Sequence, residues 1–227
     1  SNLQAMRLNM FTDLTHEIRT PLTLVMSPLK TLRENESDPD LKDTYDLMYR
    51  NSLRINRIVN QFMDIRKLDE GMMKLNFQET ELFSFIKGIA QCFSALEEQQ
   101  NISLSVLPAN PDQKVWIDQS NFDKVIFNIL SNAFKYTPTG GRIKVEILGP
   151  EKNNGKLSGN IGEYITIDIF NSGSHISPKN MKKLFDRFYQ NSVKDATLGS
   201  GLGLNIAKML VDMHHGTIDV RNVENGV

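Results

Sequence analysis

From Phe11 onward the apolar positions Phe11, Leu14, Ile18, Pro21, Val25, Pro28 and Leu32 recur at alternating spacings of three and four. That is the period of a coiled-coil seam, widened here by Leu22 and Leu29, and it predicts one long helix. The polar stretch "ENESDPD" at 34–40 contains a proline and predicts a turn. Leu41, Tyr45, Met48, Ser52, Ile55, Val59 and Phe62 then keep the same spacing, with Ile58, Ile65 and Leu68 extending the face, so a second helix follows. Two helices joined by so short a loop form an antiparallel hairpin. One hairpin offers little core, and each stripe is wider than a single partner covers. Pairing of two copies into a dimeric four-helix bundle, hence a homodimer, is expected.

The pattern changes at "EGMMKLNF", residues 70–77, which places a domain boundary near Asn76 and divides the chain into 1–76 and 77–227. Leu82, Phe85, Ile86, Ile89, Phe93 and Leu96 mark an amphipathic helix. "ISLSV", "KVWID", "RIKVEIL", "YITIDIF" and "TIDVR" alternate or are β-branched enough to predict strands, and helices are expected at 119–135, 178–188 and 202–214. Interleaving of this kind indicates an α/β sandwich, so the fold class is α+β in two domains. "GPEKNNGKLSGNIGE" is read as a loop between two strands.

Composition adds limits more than assignments. Hydrophobic residues at 40% and charged residues at 23% are ordinary for a globular protein. With 26 basic against 27 acidic residues there is no positive surplus to neutralise a phosphate backbone, so direct nucleic-acid binding is not expected. No apolar run approaches the roughly 18 residues that cross a bilayer. Ser1 and Asn2 read as a tag remnant, and membrane attachment is expected only through segments outside this sequence. The single cysteine, Cys92, excludes an internal disulfide and is expected to be buried on a helix face beside Ile89, Phe93 and Leu96.

On the first helix His16 lies about 200° from both Leu14 and Ile18, off the seam. An imidazole there is partly neutral near pH 7 and can act as a nucleophile. Glu17, its neighbour, can accept a proton from one ring nitrogen while the other attacks an electrophile. Pro21 would cost a helix interior about 3 kcal/mol, which a functional bend beside the histidine would explain. A His-Glu pair alone is equally consistent with an incidental surface histidine.

In the second half Asn128, Asn132 and Lys135 fall at i, i+4 and i+7 of one predicted helix, a stripe suited to a metal-bound triphosphate. "GSGLGLNIAK" places Gly199, Gly201 and Gly203 before or at the start of another helix, where free amides can meet phosphate oxygens. "FTDLTHEIRTPLTL" resembles the phosphoacceptor motif of sensor histidine kinases. "NILSNAFKYTP", "IFNSGSHIS", "LFDRFYQ" and "GSGLGLNIAK" resemble the successive nucleotide-binding motifs of that family, in its order, over nearly the whole chain. "HEIRTPLTL" and "NQFMDIRKLDEG" are similar in particular to hybrid sensors, which carry a receiver module downstream.

The resemblance implies a sandwich of the GHKL ATPase type, whose final strand is expected to be missing after "VENGV". It implies ATP and Mg2+ as cofactors, with Asn132 as metal ligand, Asn128 as its helper, Lys135 toward the phosphates and Tyr136 near the nucleoside. Gly173, Gly199, Gly201, Leu202 and Gly203 fall in the nucleotide-binding motifs, and the glycine turn, which follows the polar stretch "NSVKDATL", reads as the hinge of a lid over the nucleotide whose other end lies at Phe185–Phe188. Phe185 and Phe188 flank Arg187; the phenylalanines read as lid or core, and Arg187 as a phosphate contact or a surface charge. Thr20 matches the position that orients water when a partner receiver is dephosphorylated, and reads otherwise as a solvent-facing threonine. Three positions depart from the family. Asn171 replaces the aspartate that holds the adenine amino group, and its neutral amide holds that group less strongly. His175 replaces a glycine and reads as a loop residue, and Gln190 stands where many relatives are basic. His214 and His215 read as caps at a helix end.

The function implied is a two-component histidine kinase, the cytoplasmic portion of an inner-membrane sensor, which phosphorylates its own His16 and passes the group to an aspartate of a receiver domain. The alternative, motivated by Asn171 and His175, is a non-catalytic dimeric signalling pseudokinase. An ATPase or chaperone-like relative is disfavoured because Asn128 stands where such enzymes carry a glutamate base.

Overall fold

The computed structural model describes residues 2–152, 162–173, 175–190 and 200–227, the stretch 2–16 by its backbone alone. Two compact units divide the chain, Ser1–Lys74 and Leu75–Val227.

The first unit is the expected helical hairpin. α1 (Asn2–Asn35) runs through Pro21 and Pro28 without interruption, and α2 (Pro39–Asp69) returns. Asp38 caps α2 by accepting from the N–H groups of Asp40 and Leu41, and Pro39 follows, where a missing N–H costs nothing. Near the turn Arg33 bonds Asp46 at 3.3 Å and lies over the Tyr49 ring, and further down Arg19 donates to Asn60 Oδ1 at 3.0 Å.

The expected seam is corrected by the burial. Leu29, Ser52, Met63 and Ile65 are the buried side chains of the described hairpin, whereas Ile18, Val25, Leu32, Leu41, Met48, Ile55 and Phe62 stay between 38% and 48% exposed. Those seven form two lines of heptad spacing, one on each helix. The stripe therefore splits into a line that the two helices bury against each other and a line left open.

The second unit pairs two small sheets with helices. β1 (Gln78–Glu81) runs antiparallel to β3 (Lys114–Ile117). A three-stranded sheet takes the order β2 (Ser103–Pro108), β4 (Arg142–Lys152), β5 (Glu163–Asn171), with β2 parallel and β5 antiparallel to β4. Ile143, Val145 and Ile147 alternate onto the covered face of β4, under Ile86 and Ile89 of α3 (Leu82–Gln91) and Ile126, Leu130 and Phe134 of α5 (Gln119–Tyr136). The remaining helices are α4 (Ser94–Gln100), the short α6 (Pro178–Met181) and α7 (Gly203–Met213).

Four local expectations are corrected. The helix expected through Leu96 breaks at Cys92–Phe93, because Phe93 turns inward to stack on Phe134 at 5.1 Å. The break leaves Cys92 exposed, not buried. The helix expected at 178–188 stops after Met181, since Asn205 Nδ2 donates to the Phe185 carbonyl and Phe188 N–H donates to the Gly201 carbonyl. Residues 217–221 alternate exposed and half-buried like a strand but join no ladder; Val227 instead exchanges both backbone bonds with Asn171. Most of the expected loop at 149–163 lies outside the described residues.

α5 begins at Asp118, a cap only 3% exposed, whose carboxylate accepts from Asn121 N–H, Asn121 Nδ2, the Ser120 hydroxyl and Asn76 N–H. Burial alone would push this carboxyl up, but those four bonds outweigh it and hold it at about 2. A depressed carboxylate stabilises the fold above its ordinary range and loses that contribution as pH falls toward its folded value. Asp118→Ala is expected to lose roughly 2 kcal/mol at pH 7. Urea unfolding of the variant and the wild type should show the gap closing between pH 3.8 and about 2.

Candidate functional site

α5 is the spine of the candidate site. Asn128, Asn132 and Lys135 are half-buried along one stripe of it, and Tyr136 follows at its end, 47% exposed, with the Lys135 ammonium 4.7 Å from the ring centroid. Two other segments close on this helix. At its far end Gly173, with φ of 141°, lies so close that a Cβ would stand 3.0 Å from the Tyr136 carbonyl oxygen. Ser172 fixes that approach, since its hydroxyl accepts from Arg142 N–H at 2.8 Å and its own N–H donates to the Arg142 carbonyl. Asn171, the last residue of β5, pairs with Ile143 in the ladder.

At mid-helix the start of α7 meets Asn128. A Cβ on Gly203 would stand 2.9 Å from Asn128 Oδ1 and 3.2 Å from its Cγ, so only glycine permits this spacing. Helix geometry leaves the first amides of α7 without intrahelical acceptors, and Gly203, which opens the helix, lies against Asn128. The Leu202 side chain is 1% exposed in the core, so it is a packing residue whose N–H meets Ser200 Oγ at 3.3 Å. Gly201, at φ of 71°, packs on the backbone of Phe188, itself left-handed at 60°. Phe188 is 66% exposed, which removes the core reading for that ring. Arg187 sets its guanidinium 3.9 Å from Met209 Sδ on α7.

The donor chemistry here suits magnesium: two amide oxygens on one helix face, and among the described residues no cluster of three His, Cys, Asp or Glu side chains. A cation that keeps its waters and takes phosphate oxygens needs little more from the protein. Among the remaining sequence candidates, Glu17 and Thr20 lie exposed on α1, while the His16 side chain, Gly199 and the segment 191–198 lie outside the described residues. His175 is a loop residue as expected, its Nε2 donating to the Val223 carbonyl at 2.8 Å. Sequence reasoning passed over Ser172 and Asp118; the only signal for either is a small polar residue at the end of a strand pattern.

Known families match both units. Residues 6–71 match the His Kinase A (phospho-acceptor) domain, and residues 117–227 the histidine kinase-, DNA gyrase B-, and HSP90-like ATPase domain. The chain is 34% identical over 95% of its length to the sensor histidine kinase TmoS of Ectopseudomonas mendocina. It is 31% identical over 99% of its length to the hybrid signal transduction histidine kinase D of Dictyostelium discoideum. It spans 22% and 14% of those two relatives. Full-length ShkA, solved in complex with AMPPNP, superposes over 90% of this chain and 40% of its own with a TM-score of 0.71 at 19% identity, a likeness of fold.

Gly203→Ala tests the contact at the head of α7. The methyl must displace the Asn128 amide, so ATP affinity by calorimetry is expected to fall about tenfold. The unfolding free energy should change by less than about 1 kcal/mol, because alanine suits a helix better than glycine.

Proposed function

Since the chain belongs to the sensor histidine kinases, we propose that it transfers the γ-phosphoryl group of ATP to its own His16 and then to an aspartate of a receiver domain. Residues 1–76 serve as the dimerising phosphoacceptor part and 77–227 as the nucleotide-binding part. The observation that carries this reading is the approach of Gly203 to Asn128, which sets the open amides of α7 beside the amide stripe of α5. In that arrangement Asn128 and Asn132 orient the phosphates, and Asn132 is the side chain that would hold a magnesium ion, whose chemistry would be neutralisation of phosphate charge. Lys135 faces the phosphates and Tyr136 the nucleoside. Gly173 lets the loop after Asn171 come close to the base.

In the transfer one ring nitrogen of His16 bonds to the γ-phosphorus, the bond to the bridging oxygen breaks, and ADP leaves. The proton on the other ring nitrogen passes to Glu17. Thr20, one turn on, orients the water that later hydrolyses the receiver's phosphoaspartate. The two open heptad lines support a homodimer through the hairpin, because a second copy would cover both at once. The similarity to a hybrid kinase supports a receiver partner, on the same full-length chain or another. No helix among the described residues is long and apolar enough to cross a membrane.

Incubation with γ-labelled ATP and magnesium is expected to label the wild type, with loss of label on chelation. His16→Gln should bind ATP unchanged and take no label; label at the wild-type level in that variant refutes the assignment. No detectable ATP binding with magnesium, while dimerisation persists, would point to the non-catalytic signalling module. Asn171→Asp restores a charged acceptor for the adenine amino group, and calorimetry should show ATP held about fivefold more tightly.

A further inference from the structure

α5 and α7 run antiparallel, and two contacts mark the ends of their shared length. One is Gly203 against Asn128, at the nucleotide site. The other lies at the opposite ends of both helices, where His214, the residue that ends α7, meets Asp118, the cap that begins α5. Asp118 N–H donates to His214 Nε2 at 3.2 Å, and His214 Nδ1 lies 2.7 Å from the Leu210 carbonyl. A backbone N–H can only donate and a carbonyl can only accept, so the ring carries its proton on Nδ1 and a bare lone pair on Nε2. Phe77 and Phe122 hold the ring edge-on at 5.3 Å and 5.4 Å.

The spacing of the two contacts is matched. At 1.5 Å of rise per residue, Asn128 lies about 15 Å along α5 from Asp118, and Gly203 about 16 Å along α7 from His214. Between them the pair packs on Ala207 and Leu210, both fully buried and apolar. Apolar packing alone resists sliding weakly, because it has no direction. The directional bond at the tail, from Asp118 N–H to His214 Nε2, fixes the register.

We infer that His214 is a positioning residue for nucleotide binding: by pinning the tail of α7 to the cap of α5, it sets where the head of α7 meets Asn128. This rests on the proposed function, since it concerns the same phosphate site. The described sequence pattern gave His214 only the role of a helix cap, which its Nδ1 fulfils; the bond from Asp118 gives it the second role.

His214→Phe keeps the ring between Phe77 and Phe122 and removes both hydrogen bonds. His214→Gln places an amide oxygen within reach of Asp118 N–H. ATP affinity is measured by calorimetry at 10 °C, where circular dichroism shows each variant fully folded. The expected result is a loss of about tenfold in His214→Phe, with most of it recovered in His214→Gln. Affinity within twofold of the wild type in His214→Phe overturns the inference, because a purely structural role lowers the unfolding midpoint and leaves binding by the folded fraction alone. Should His214→Phe not fold, imidazole nitrogen resonances of the wild type decide. A protonated Nδ1 with a bare Nε2, retained and sharpened on adding ATP, supports the pin, and a protonated Nε2 overturns it. A wild type that binds no ATP rejects the proposed function itself, and this inference with it.

Discussion

A missing methyl group governs the second unit. Gly203 brings the head of α7 so close to Asn128 that a larger residue would push its amide aside. Open amides bind an anion only when they converge with other groups, and here the converging groups ride on a different helix. Ile206, Ala207 and Leu210 are the buried apolar side chains that α7 contributes between its two ends. Direction comes from the Asp118–His214 hydrogen bond at one end and the close fit of Gly203 on Asn128 at the other. The site is thus a property of a helix pair and not of a loop.

The hairpin follows another logic. Among the described residues its helices bury Leu29, Ser52, Met63 and Ile65 and hold two heptad lines in the open. Polar contacts at Arg33 and Arg19 locate one helix against the other. A unit built this way leaves much of its apolar area uncovered, which is the reason to read it as half of a larger bundle.

Much of this architecture was legible in the residue pattern: the hairpin and its turn, the order of β2 to β5, the long α5 and the helix after the glycine turn. Where the reading failed, contacts distant in sequence decided the outcome. Periodicity announced an apolar stripe on each hairpin helix but did not say which line faces the neighbouring helix of the same chain. The pattern through Leu96 looked continuous until Phe93 found Phe134, and Cys92 was turned outward as a result. The segment 182–188 has helical spacing, yet Asn205 and Gly201 take its backbone groups. β1 escaped because "QETE" has almost no apolar alternation, and it exists through its ladder with β3. In the candidate site the stripe of α5 was plain from spacing, whereas the partner of His214 stands 96 residues away and leaves no trace in the local sequence.

Pro21 and Pro28 sit seven residues apart inside an unbroken α1, so each removes one rung from the same side of the backbone ladder, within about 20° of one another around the axis. The carbonyls of Glu17 and Leu24, which those rungs would have engaged, are freed along a single edge. A rod scored twice on one edge flexes in one plane and resists flexing in the others.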